Sequence, residues 1–181
     1  MKGMLNVLNE QGEIVGTASR EDIHKEGLLH AEAHVWFYTP DGKIIWQLRS
    51  KDKDTFPDLL DATVGGHVEI GDTYEQTAAK EAREETGVDI SQEDLIFLRT
   101  TITKSYDEAT GTTNHPRRNV YAYCFRGKIE DLRIEPGASQ GFEAWPIEAL
   151  MNLSPEESRR FIPSLIDENG METIEQIRNL I

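Results

Sequence analysis

The segment from Asp72 to Gly87 constrains the fold most, because it reads as one well-bounded helix set among strands. Asp72 suits the N-cap, Glu75 stands where a capping box needs its acid, and Gly87 supplies the left-handed stop. Ala78, Ala79 and Ala82 are good helix formers whose small side chains permit close packing. Upstream, Met4 to Leu8 and Glu13 to Thr17 flank Asn9-Glu10-Gln11-Gly12, an N-terminal hairpin with Gly in its turn. Ser19 opens a short helix with an acidic first turn, and Gly27 ends it. The runs 33–38 and 43–48 are rich in aromatic and β-branched residues and surround the turn Pro40-Asp41-Gly42. A short strand, 61–64, leads into Gly65-Gly66. Downstream, 95–103 and 119–125 read as strands separated by a polar, mobile connection, 107–115. Residues 147–152, 155–167 and 173–180 read as helices, the second announced by Ser154 as N-cap and Pro155 at N1. The pattern predicts a mixed α/β domain with one central helix and a helical C-terminal tail.

Length and composition narrow the function. At 181 residues and 38% hydrophobic content the chain suits one domain with a sizeable core, needing no staples. Acidic residues outnumber basic ones 33 to 19, a net charge of −14, which argues against binding a nucleic acid polymer. A small anion held by a local basic cluster or a metal stays compatible with that charge. No stretch approaches the roughly 18 apolar residues of a membrane helix, and the N-terminus lacks an apolar run of signal-peptide length. Cys124, the single cysteine, excludes an internal disulfide framework and a multi-cysteine zinc site. A cytoplasmic location is expected.

Chemistry concentrates on the central helix. Glu81 precedes Glu84 and Glu85 by three and four residues, so the three carboxylates occupy neighbouring sectors of one surface. Like charges at these spacings repel, and Lys80 and Arg83 relieve this only in part. Either the face is simply solvated, or a hard divalent cation such as Mg2+ or Mn2+ turns repulsion into attraction.

The stretch Gly66 to Val88 resembles the Nudix box, Gly-x5-Glu-x7-Arg-Glu-apolar-x-Glu-Glu-x-Gly-apolar, with every interval kept. Asp72 replaces the first Glu, and Lys80 replaces the Arg, keeping its charge without its planar fork. The flanking strands and the later Trp145-Pro146-Ile147-Glu148-Ala149-Leu150 also resemble the Nudix domain. The resemblance implies a Nudix-type α/β/α sandwich with a mixed sheet, plus an N-terminal hairpin and C-terminal helices. The expected organisation is a single Nudix domain over 1–181, with an N-terminal extension (1–30), a core (31–150) and C-terminal helices (151–181). By the same resemblance Glu84 and Glu85 are the principal metal ligands. Glu81 is a ligand or the group that orients or deprotonates the attacking water. Lys80 belongs to the catalytic set, and the backbone carbonyl of Gly65 completes a site for Mg2+, with Mn2+ as the alternative. The implied reaction is hydrolysis of a phosphoanhydride bond in a nucleoside diphosphate linked to another moiety X.

Leu29-His30-Ala31, the segment 49–57 and Asp61 to His67 resemble the Nudix branch that includes isopentenyl-diphosphate isomerase. There, residues at the positions of Arg49 and Lys53 hold a diphosphate. The isomerase itself is disfavoured, because Gly65 stands where it needs a cysteine, and Arg117 and Asn119 where it needs glutamates. The remaining rival is a non-catalytic sensor that binds a nucleotide. Because the isomerases bind metal partly through histidine, and His30 and His67 fall on positions matching two of those ligands, the resemblance raises a second zinc or manganese cluster among His24, His30, His34 and His67, against the more ordinary reading of hydrogen-bonded structural residues. Glu135, Glu143 and Glu81 are the candidates for general base. Tyr106, Phe142 and Trp145 are read as core or as base-stacking residues. Cys124 is expected to be a packed thiol. The C-terminal apolar stripes, Phe161, Leu165, Ile166, Ile174, Ile177 and Leu180, are expected to pack within the chain, with a homodimer contact as the secondary expectation.

Overall fold

The computed structural model describes residues 3–53, 56–108 and 110–181. Its strands are β1 (Met4–Leu8), β2 (Ile14–Ser19), β3 (His30–Tyr38), β4 (Lys43–Arg49), β5 (Leu60–Asp61), β6 (Val64–His67), β7 (Ile96–Ile102), β8 (Ser105–Asp107), β9 (Thr112–Asn114), β10 (Pro116–Cys124) and β11 (Ser139–Pro146). Its helices are α1 (Arg20–Glu26), α2 (Tyr74–Thr86), α3 (Ile147–Leu150), α4 (Pro155–Ser158) and α5 (Glu168–Arg178).

β3 organises the sheet. It lies parallel to β10, with Pro116 opposite His30 and Cys124 opposite Tyr38. Its other edge is shared: β6 pairs antiparallel with the first part, setting His67 opposite Glu32, and β4 takes over at Phe37 and Tyr38. Between the two partners the Thr63 hydroxyl accepts the Phe37 amide at 2.8 Å and donates to the Ile45 carbonyl, so a side chain replaces ladder bonds at the fork. The N-terminal hairpin β1–β2 joins the same sheet through Val7 opposite His30.

Almost every residue of β3 is buried, as expected for a strand covered on both faces. On one face Trp36, Trp46 and Val120 pack with Ile147, Phe161, Ile174 and Ile177. On the other, Val35, Phe37, Ile45 and Tyr121 pack with Ala78 and Ala82 of α2. The result is an α/β/α sandwich around a mixed sheet. The C-terminal stripes turn inward: Phe161, Leu165, Ile174 and Ile177 are buried, whereas Leu180 is exposed. Among the described residues no helix is long and apolar enough to cross a membrane.

Several local expectations shift. α1 starts and stops at Ser19 and Gly27 as read from the sequence. The cap of α2 is Thr73 with Gln76, one residue later than Asp72 with Glu75, because Glu75 instead accepts the Tyr121 hydroxyl at 2.6 Å. The helix expected over 155–167 stops after Ser158. Arg160 and Ile162 turn extended to bond Leu60 of β5, at 2.7 and 3.0 Å, and Pro163 then opens a short 3-10 turn. The polar connection 107–115 is partly a hairpin, β8 against β9, anchored where the Asp107 carboxylate accepts the Phe56 amide at 2.7 Å. Ala109 within it, and Asp54 and Thr55 of the segment 49–57, lie outside the described residues.

Candidate active site

One cleft of about 310 Å³ gathers most of the expected residues. α2 contributes Glu81 and Glu85, one turn apart, on the sector adjoining the one that carries Ala78 and Ala82 into the core, so Glu85 is buried at the cleft floor. β4 contributes Gln47 and Arg49, which share a face by strand alternation. β6 supplies Gly65 and Gly66, and the segment after β4 supplies Lys53.

Glu85 is buried, and its Oε2 accepts Gln47 Nε2 at 3.0 Å and the Gly65 amide at 3.3 Å. Burial, with the Glu81 charge adding to it, pushes the Glu85 carboxyl up to about 8 against the pull of those donors and of Lys53. Burial and then the Glu84 charge push Glu81 up to about 7. Gly66 is required beneath it: a Cβ there would sit 2.5 Å from Glu81 Cγ. Glu84 is exposed and does not line the cleft, although its charge reaches Glu81. Lys80 pairs with Glu69 at 3.4 Å, so its contribution to the carboxylates is electrostatic.

Arg49 Nη1 bonds Asp61 at 2.6 Å, and its Nε bonds the Phe56 carbonyl at 3.2 Å, which fixes the guanidinium at the cleft wall. Of the three base candidates, Glu81 and Glu135 line the cleft. Glu143 is committed elsewhere, to Arg160 at 2.6 Å and Trp145 Nε1 at 3.0 Å. Tyr106, Phe142 and Trp145 are not among the cleft residues, whereas Phe56 is. Cys124 packs against the core beside the C-terminal helices.

The sequence reading missed Gln47 and Asp61. Gln47 was legible in its i, i+2 spacing from Arg49, but Asp61 meets Gln47 only through the β4–β5 register. It also missed Glu32, whose buried carboxylate holds Arg118 at 2.9 Å and lies among His30, His34 and His67. Burial opposes ionisation of Glu32, but Arg118 and the histidines outweigh it and hold the carboxyl well below the usual range.

The crowded carboxylates carry a measurable cost. Both Glu81 and Glu85 hold protons more tightly when folded than the ordinary carboxylate value near 4.5. Their contribution therefore favours the folded state below that value and is lost as pH rises through about 7 and about 8. In metal-free buffer, the Tm of the wild type should fall relative to Glu85→Gln by roughly 5 °C between about pH 5 and about pH 8. A constant difference across that range, measured by thermal unfolding, would mean Glu85 ionises normally.

Two carboxylates that repel each other, Glu85 buried and Glu81 half-buried, with clearance provided by a glycine, suit a hard divalent cation. Comparison with known proteins identifies the family. The family model of the NUDIX domain matches residues 28–165. An uncharacterized Nudix hydrolase of Clostridium acetobutylicum is 26% identical over 166 residues, covering 90% of this chain and 75% of that protein. Nudix hydrolase 3 of Arabidopsis thaliana is 36% identical over 173 residues, 91% of this chain, but the chain spans only 22% of that longer protein. The crystal structure of DR0079 from Deinococcus radiodurans superposes with a TM-score of 0.67 at 24% identity, covering 96% of this chain and 98% of that one.

Proposed function

The chain belongs to the Nudix family and is a diphosphate hydrolase of that family; from this premise we propose that it cleaves the phosphoanhydride bond of a nucleoside diphosphate linked to a moiety X. The observation that carries the reading is the meeting of Glu81 and Glu85 with Arg49 and Lys53 in one cleft. Glu81, Glu85 and, from the exposed side of α2, Glu84 are the residues to hold Mg2+, or Mn2+, with the Gly65 backbone beside them. A bound divalent ion supplies charge neutralisation at the diphosphate and an acidified water.

The protein's own groups do the rest. Arg49, at the end of β4, and Lys53, just after it, bind the non-bridging phosphate oxygens within the cleft. Gln47 orients the Glu85 carboxylate through its amide. Glu81, with a proton affinity near neutrality, takes the proton of the attacking water at a carboxylate oxygen, and Glu135 is the other acid within the cleft. Lys80 offsets the negative charge on α2. The single cysteine suits a reducing, cytoplasmic setting.

A Mg2+-dependent hydrolysis panel tests this reading. It comprises nucleoside diphosphates and triphosphates, sugar nucleotides, dinucleotides and prenyl diphosphates, with Glu85→Gln as control. Release of monophosphate from a sugar nucleotide or dinucleotide, lost in the control, is the expected result. Binding of a nucleotide without turnover across the panel would replace the hydrolase with a sensor.

A further inference from the structure

We propose that Asp107 is a positioning residue for diphosphate binding, which sets the place of the Arg49 guanidinium through the backbone of Phe56. The inference deepens the hydrolase reading and rests on it, since that reading makes Arg49 a ligand of the phosphate oxygens. Asp107 belongs to the β8–β9 hairpin, which forms a small sheet of its own beside the main one. It is buried and does not line the cleft, whereas Phe56 and Arg49 both do.

Phe56 is the unusual link. Among the described residues, the non-glycine positions with positive φ are Phe56, at +46°, and Asp58, at +59°. A bulky side chain disfavours that region, and the proline that follows, Pro57, draws its predecessor toward extended backbone instead. Such a conformation persists only where its surroundings over-determine it. Three contacts do so here. The Asp107 carboxylate accepts the Phe56 amide at 2.7 Å, and Arg49 Nε donates to the Phe56 carbonyl at 3.2 Å. The ring is buried in the core cluster that holds Leu60, Phe161 and Ile162. The Thr110 hydroxyl donates to the same Asp107 oxygen at 2.8 Å, which fixes the carboxylate within its own hairpin.

Each bond orients the next. The left-handed backbone aims the Phe56 carbonyl at Arg49 Nε, while Asp61 takes Nη1 at 2.6 Å, so the guanidinium fork is held through two of its nitrogens. Without Asp107 the buried Phe56 amide loses its acceptor, its backbone relaxes toward the extended region, and the carbonyl turns away from Arg49. The charge of Asp107 acts in the opposite sense. A carboxylate repels a diphosphate, so removing the charge alone tightens binding, whereas removing the support for Arg49 weakens it. The two effects differ in sign, which makes the role measurable.

The test titrates inorganic pyrophosphate into the full chain at saturating Mg2+, and follows exchange of the Arg49 Nε–H proton by NMR. The variants are Asp107→Ala, Asp107→Asn, Arg49→Lys and the Arg49→Lys, Asp107→Ala pair, with circular dichroism confirming that each folds. Asp107→Ala should weaken pyrophosphate binding about tenfold and speed the Nε–H exchange by a similar factor. Asp107→Asn keeps an acceptor oxygen and drops the charge, so it should restore slow exchange and bind within about twofold of the wild type or more tightly. Arg49→Lys keeps a cation for Asp61 but has no Nε, and should itself weaken binding about tenfold. On that background Asp107→Ala should add no more than about twofold. Should Asp107→Ala misfold, Thr110→Val serves: it removes the hydroxyl that holds the carboxylate, and the Arg49 proton should again exchange faster. Unchanged or tighter binding in Asp107→Ala, with Arg49→Lys weakened, would overturn the proposal alone. Independent, additive losses in the pair would do the same. Unchanged binding in Arg49→Lys would remove Arg49 from the diphosphate site, a failure of the underlying reading that takes this one with it.

Discussion

Glu85→Gln is expected to lower kcat by about two to three orders of magnitude while the folded structure persists. The substitution keeps the size of the side chain and an oxygen to accept from Gln47 and the Gly65 amide, so the surrounding bonds survive. What disappears is the charge that a divalent ion needs, in a buried position where water cannot substitute for it. Losing one such electrostatic group commonly costs about 3–4 kcal/mol of barrier. Glu84→Gln should do less, since Glu84 stands exposed outside the cleft. Steady-state hydrolysis of the substrate found in the panel, run at several Mg2+ concentrations, separates lost metal affinity from lost turnover. Unchanged activity in Glu85→Gln would remove this residue from the site.

Gly170→Ala is expected to destabilise the protein by about 3 kcal/mol, lowering Tm by roughly 10 °C. In an ordinary helix this exchange stabilises by up to about 1 kcal/mol. Here the sign reverses. Gly170 is buried in the first turn of α5, its amide donating to the Asp167 carboxylate at 3.0 Å. A Cβ would stand 2.0 Å from the backbone oxygen of Leu165, an atom that cannot rotate away. Relief requires α5 to retreat from the 3-10 turn, withdrawing Ile174 and Ile177 from the core. Leu165 also lines the cleft, so KM should rise together with the loss of stability. Gly16→Ala is the control: nothing lies within 4 Å of its added carbon, and Tm should move by no more than about 2 °C.

What the sequence disclosed follows from how local each determinant is. Ser19 and Gly27 bound α1 through bonds within a few residues, and both were readable. The cap of α2 was ambiguous because Asp72-Glu75 and Thr73-Gln76 are both competent pairs; Tyr121, distant in sequence, decided between them. The 155–167 helix failed for a similar reason, since bonds to Leu60 drew Arg160 and Ile162 into extended geometry. In the site, the box spacing disclosed Glu81 and Glu85, and the pairing of Arg49 with Asp61 needed the strand register. Alternation along β3 put His30, Glu32 and His34 on one face, but His24 and His67 join them from elements whose approach no local pattern encodes.

The fork at Thr63 bears on how the sheet breathes. The Phe37 amide sits at the end of β6's pairing and the start of β4's, held by a hydroxyl rather than by a neighbouring strand. Opening β4 away from β3 therefore need not expose that amide to solvent, because Thr63 travels with the backbone beside Val64 and keeps its grip. Amide hydrogen exchange should report two cooperative units meeting there, with Phe37 protected through local openings and released only when the whole sheet unfolds.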